Sequence, residues 1–140
     1  MTDNLDTLTL TIPRNEWMSS NGRQPHWAEV NERRRALHAR TIVEARRQHV
    51  APRTSPTVVW ILVGYPTRAA ADPANAYPTV KPVIDGLVHA GIFTDDNSDL
   101  VTVGFDRDPA RAPKGTHTLT LVFHDRDTFY QRLEMEVTRD

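Results

Sequence analysis

The sequence predicts a small α/β protein: a two-layer sandwich with a mixed β-sheet, its elements in the order βαβαββ with two main helices, as a single domain over residues 1–140. Three observations predict it. Thr57 to Tyr65 (TVVWILVGY) is an unbroken, β-branched apolar run, as expected of a central strand buried on both faces. Two longer segments carry apolar residues at helical spacing, and shorter stretches alternate apolar with polar residues. Strands interleaved with helices imply layers of helix on sheet, and 140 residues suffice for one core.

The elements follow in order. Leu8, Leu10 and Ile12 alternate with Thr7, Thr9 and Thr11, which predicts a half-buried strand ended by Pro13. Arg14 to Gln24 is a polar loop rich in turn formers. A helix is expected from about Pro25, a residue suited to a first helical turn, to His49, with Trp27, Val30 and Leu37 on its inner face. Pro52 and Pro56 separate it from the central strand. Pro66 to Tyr77 is a small-residue loop. The second helix is expected over about Thr79 to Ala90, because Val80, Val83, Ile84, Leu87 and Val88 form one stripe. Pro82 fits if it lies in the first turn, and Gly91 fits the C-terminal cap. Thr94 to Asp99 is a tight acidic loop. Val101, Val103 and Phe105 alternate, as do Leu119, Leu121 and Phe123, and the loop RDPARAPKG between them predicts a hairpin. A short helix through Phe129 and Leu133 is the expectation for the tail.

Composition narrows the chemistry. The absence of cysteine excludes disulfides, thiolate zinc sites and cysteine nucleophiles, and a reducing cytoplasm is the expected compartment. The longest apolar run, Val58 to Val63, is too short to span a bilayer, so no membrane partner is expected. The opening MTDNLDT is acidic and polar, unlike a secretory signal. There is no HExxH, no GxSxG and no glycine-rich phosphate loop. The net charge of -1 hides an asymmetry. Pro25 to Arg53 holds seven arginines against three glutamates; Asp72 to Asp99 holds five aspartates, one lysine and no arginine. One surface for phosphates beside another for a cation would produce this pattern, and so would an ordinary solvated helix.

Four features carry candidate chemistry. Asp95 and Asp96 are adjacent carboxylates between a helix and a strand; a hard cation relieves their repulsion, while a polar turn is the plainer account. Asp72 and Asn75 supply oxygen donors close enough to share a site, or a helix cap. Lys81 and Asp85 share a helix face at i,i+4, suited to holding a phosphate or to a simple surface ion pair. Asn15, Trp17, Asn21, Arg23 and His26 make the first loop polar and aromatic, suited to nucleic acid or to a packed connection.

Taken in order along the chain, these features resemble the RusA family of Holliday junction resolvases. The most specific part is Lys81 to Asp96 (KPVIDGLVHAGIFTDD), similar to the family's Lys-x-x-x-Asp-x-Leu-x-x-Ala-Gly helix and its following Asp-Asp loop. The IPRN...NGR portion resembles the family's opening, and the likeness covers about Leu8 to Phe123. The resemblance implies a homodimeric, Mg²⁺-dependent endonuclease that resolves four-way junctions by paired nicks, cytoplasmic and encoded by a bacterium or prophage. It implies Asp72, Lys81 and Asp96 as catalytic residues, Asp72, Asn75, Asp95 and Asp96 around the metal, and Asp85 as a helix aspartate of structural role. Asn15, Arg23, Arg33, Arg34 and Lys81 are the expected DNA contacts. The chain departs from the family twice: Ala74 stands where the family has a second aspartate, and three extra residues separate Asn75 from Lys81. A nuclease for flaps or forks, a junction-binding dimer without catalysis, and a structural α/β domain remain open beside the resolvase.

Overall fold

The computed structural model describes residues 6–23 and 25–138. Most of the N-terminal stretch used against a secretory signal, and Gln24 at the end of the first loop, lie outside the described residues. The elements are β1 (Asp6–Pro13), α1 (Trp27–Arg47), β2 (Thr57–Gly64), a 3₁₀ turn (Pro73–Ala76) running into α2 (Tyr77–His89), β3 (Val101–Arg107), β4 (Thr116–Asp125) and α3 (Arg126–Val137). This is a mixed α/β sandwich around one four-stranded sheet.

The strand order is β1-β4-β2-β3. The expected β3–β4 hairpin does not form. β3 pairs in parallel with β2, from Thr57 opposite Val101 to Val63 opposite Arg107. β4 pairs antiparallel with β2 on its other edge and with β1 beyond. The reason lies in β2, whose apolar backbone must be hydrogen-bonded on both edges to be buried. The β2–α2–β3 crossover claims one edge, and the long loop after β3 lets β4 reach the other.

Strand alternation sorts the side chains. Val59, Ile61 and Val63 of β2, Leu8, Leu10 and Ile12 of β1, and Leu119, Leu121 and Phe123 of β4 face one layer and are buried. Leu37 and Ala45 of α1, with Val80, Val83, Ile84 and Leu87 of α2, complete that core. The opposite face is only partly covered: Trp60 and Leu62 are half-buried, and Trp60 meets Phe129 of α3 with ring centroids 6.1 Å apart. β2 is therefore less enclosed than its sequence suggests, because α3 is short and buries none of its residues fully.

Helix ends fix the layout. His26, not Pro25, caps α1, its Nδ1 accepting from Ala28 N at 3.2 Å. Pro82 is not in the first turn; it is the sixth residue of α2, buried, where its ring removes one helical hydrogen bond. Gly91 does end α2, at φ +81°, a backbone region that costs other residues energy. Its N–H donates to Val88 O at 3.0 Å, and Ile92 N to Leu87 O at 2.9 Å, closing a Schellman turn. The turn sends Ile92 and Phe93 into the core and doubles residues 94–99 back beside α2. Among the described residues, no helix is long and apolar enough to cross a membrane.

Candidate functional site

The α2 surface and the loop that follows it build the site. Lys81 Nζ donates to Asp85 Oδ1 at 2.9 Å and also to Asp96 Oδ2. The first contact follows from i,i+4 helix spacing. The second crosses from helix to loop and exists because the Gly91 turn brings the loop back. The ammonium is thus clasped between two carboxylates. The bond to Asp96, then that to Asp85, raises the Lys81 pKa above its ordinary value against a small desolvation cost. The same lysine chiefly lowers Asp96, with Asp85 and Asp95 adding to the effect. Lysine and aspartate are both charged across the neutral range.

The loop is held from within and without. Asp95 Oδ1 accepts from Asp96 N at 2.7 Å and its Oδ2 from Asn97 Nδ2 at 3.1 Å. Asn97 Oδ1 accepts from Asp99 N at 3.0 Å. These are turn bonds, so Asp95 shapes the loop while Asp96 faces Lys81. From outside, the Arg126 guanidinium at the start of α3 donates to Ser98 O at 2.8 Å, Asp99 O at 3.1 Å and Thr102 Oγ1 at 2.8 Å.

Beside the clasp lies a cleft of about 370 Å³ lined by Arg34, Arg35 and His38 of α1 and Lys81, Pro82 and Asp85 of α2. α1 approaches α2 closely here because position 86 is glycine: a Cβ there would meet Thr41 Cβ at 2.9 Å and His38 O at 3.0 Å. Two arginines therefore stand on the wall facing Lys81 and Asp85. His38 Nε2 lies 3.1 Å from His89 Nδ1 across the same helix pair.

Asp72, Asn75 and Arg33 make other contacts. Asp72 caps the 3₁₀ turn, its Oδ1 accepting from Ala74 N at 3.1 Å. The Tyr65 phenol pKa is pushed up by burial and, less strongly, by the charge of Asp72, against Arg107. Asn75 is engaged with the first loop: its Oδ1 accepts from Ser20 Oγ and its carbonyl from Ser20 N, each at 2.9 Å. Arg33 is fixed by bonds to Trp17 O and Glu29 Oε1, both at 2.7 Å. Asn15, Arg23 and Arg33 line a second groove, with Trp17 and His117. Lys81, Asp85 and Asp96 are thus brought together, and Asp72 and Asn75 are not among them. Sequence reasoning missed Arg35, His38 and Arg126. Arg35 and His38 share an i,i+3 face that the arginine count signalled only as a total, and nothing in the sequence pairs Arg126 with residues 98 and 99.

Mg²⁺ is held in proteins by one or two carboxylates and otherwise by water and substrate phosphate. Asp85 and Asp96 could supply those carboxylates, but each already has one oxygen on the Lys81 ammonium, so a bound cation would have to share them with that lysine. Among the described residues, no three His, Asp or Glu side chains form a metal-holding group.

No protein-family model matches this chain, and no curated protein matches it. Among solved structures, the periplasmic domain of MotB aligns with 100% of this chain and 76% of that chain, at 11% identity and a TM-score of 0.40. That likeness is too distant to carry an argument.

Proposed function

We propose that this chain is a Mg²⁺-dependent endonuclease of branched DNA, acting on four-way junctions as a homodimer. The observation that carries the proposal is the Lys81 ammonium clasped by Asp85 and Asp96 beside an arginine-walled cleft. The RusA resemblance of the Lys81 to Asp96 segment supports Lys81 and Asp96 in these roles, while for Asp85 it implies a structural role and around the metal it adds Asp72, Asn75 and Asp95.

The residues divide the work. Arg34 and Arg35 hold phosphates along the cleft through charge, without reading sequence. Asp85 and Asp96 would hold the metal, which supplies an activated water and neutralises phosphate charge. Lys81, kept protonated by its two carboxylates, stabilises the charge that develops on the leaving oxygen. Asp95 sets the loop so that Asp96 faces the helix. Asp72 and Asn75 fix the entrance of α2, and through it the height of Lys81. Two such sites in a two-fold dimer match the symmetry of a four-way junction.

A second reading has a specific observation behind it: a junction-binding dimer that does not cut, favoured by Ala74 where the family has an aspartate. Four-way junctions, flaps, forks and linear duplex, incubated at one salt concentration with Mg²⁺ or EDTA, separate the readings. Mg²⁺-dependent paired nicks in the junction support the proposal. Preferential cutting of flaps or forks moves the substrate, and tight junction binding without cleavage supports the second reading.

A further inference from the structure

We infer that the groove between the first loop and the sheet is a docking site for an unpaired DNA nucleotide, with an aromatic floor for the base and arginines for the flanking phosphates. The inference rests on the DNA reading above and adds what that reading leaves out, a strand whose bases are not paired.

The groove encloses about 610 Å³, ample for one nucleotide, and Arg14, Asn15, Trp17, Arg23, Arg33 and His117 are among its lining residues. Trp17 and His117 stack with centroids 4.1 Å apart and planes 5° from parallel. Tyr65 abuts His117 in an edge arrangement, with centroids 5.5 Å apart. Trp17 therefore lines the groove with His117 stacked flat against one of its faces, and Tyr65, just past β2, packs against His117 in turn. Burial holds the His117 pKa below its ordinary value, so the imidazole is neutral near pH 7 and stacks as an uncharged ring.

Two residues that line the groove also carry a buried polar atom with no partner among the described residues. His117 Nδ1 and Arg33 Nε are both buried and both lack a hydrogen bond. Buried polar atoms without partners are uncommon, and here two belong to residues lining one groove. The arrangement is also stiff: Arg33 is pinned to Trp17 O and Glu29, and Arg40 grips Glu16 with two bonds of 2.8 and 2.9 Å. Aromatic stacking beside a basic channel is how unpaired strands are held without sequence reading. Paired bases in a duplex keep their faces stacked on each other and leave such a floor unused.

The test is fluorescence polarisation, without Mg²⁺, on labelled oligothymidylate and on an abasic strand of the same length and charge. Wild type is expected to hold the thymidylate about tenfold more tightly than the abasic strand, the scale of one base–aromatic stack. His117→Ala and Trp17→Leu are expected to erase that difference while leaving abasic binding unchanged. Arg14→Ala and Arg23→Ala, at exposed positions, are expected to weaken both strands equally. Circular dichroism of each variant separates loss of the floor from loss of fold, and the comparison of the two strands in wild type decides the test if the ring variants unfold. Equal affinity for the two strands in wild type overturns the inference while leaving the nuclease reading intact. Failure to bind any strand, junctions included, overturns the DNA reading itself. Tighter binding of oligouridylate than of oligothymidylate overturns the assignment to DNA.

Discussion

Thr79 joins the first loop to α2, and its loss has a calculable cost. Its side chain is buried, at 0% exposure, and its hydroxyl makes two bonds: it accepts from Met18 N at 2.8 Å and donates to Met18 O at 2.7 Å. Met18 is itself buried, so neither backbone group has water to fall back on. Thr79→Val keeps the shape and removes both bonds. Each orphaned group costs about 1–3 kcal/mol, and the added methyl recovers roughly 1 kcal/mol. The net loss is about 1–5 kcal/mol, centred on about 3 kcal/mol. At about 3 °C per kcal/mol for a domain of this size, Tm falls by roughly 9 °C at the centre of that range. Thr79→Ser keeps the hydroxyl and loses one buried methyl, about 1 kcal/mol, so Tm falls by roughly 3 °C. Thermal melts of the three proteins, with hydrogen exchange at residues 14–23, are the assay. The valine variant should also lose protection at the Met18 amide, because detaching the loop is the cheapest way to hydrate it. If the valine and serine variants melt together, with Met18 equally protected, the hydroxyl is not the tether and the reasoning fails.

Other expectations follow from close approaches and charge. Gly86→Ala places a methyl against Thr41 and His38 O; overpacking of about 2 kcal/mol outweighs roughly 1 kcal/mol of helix propensity, so Tm should drop by about 3 °C, and an unchanged or higher Tm would show that α1 yields freely. Gly104 lies opposite Trp60 in the β2–β3 register, and a Cβ there would fall 2.3 Å from the indole; Gly104→Ala should expel the ring, break its contact with Phe129 and red-shift the tryptophan emission, and an unshifted spectrum would contradict this. Asp96, held low by Lys81, and Asp125, held low by the Thr128 amide and hydroxyl at the start of α3, bind protons less readily folded than unfolded. Their stabilisation is present above the unfolded aspartate pKa of about 4 and is lost as pH falls through the lower folded values. Lys81, raised in the fold, contributes below its unfolded pKa, and that contribution is lost as pH rises through the folded value. Denaturant midpoints across pH should fall in acid, and Asp96→Asn should flatten part of that fall; an unaltered acid limb would contradict the clasp.

The elements were legible because periodicity is local. The alternation of Leu8 to Ile12, the run at Thr57 and the stripe from Val80 to Val88 each report which side of one element is buried. Partner choice is not local. Val101 to Phe105 and Leu119 to Phe123 carry the right pattern for a hairpin, yet β2 stands between them, because its own hydrogen-bonding needs on two edges outweigh proximity in sequence. The site divides the same way. Lys81 and Asp85 are legible as an i,i+4 pair. Asp96 is legible as a loop carboxylate, but its meeting with Lys81 depends on the Gly91 turn and on Arg126 gripping residues 98 and 99 from α3. For Asp72 the residue type allows a shared site or a helix cap, and the bond it makes is a cap bond.

The central claim is that the clasp of Lys81, Asp85 and Asp96 is the cutting centre of a metal-dependent nuclease. The most direct measurement is the single-turnover rate of four-way-junction cleavage against Mg²⁺ concentration, for wild type and Asp96→Asn, with junction binding measured in parallel. The account predicts Mg²⁺-dependent cleavage by wild type and a rate lower by on the order of a hundredfold or more in the variant, the scale for losing one transition-state contact, with junction binding retained. Cleavage by Asp96→Asn as fast as by wild type would contradict it.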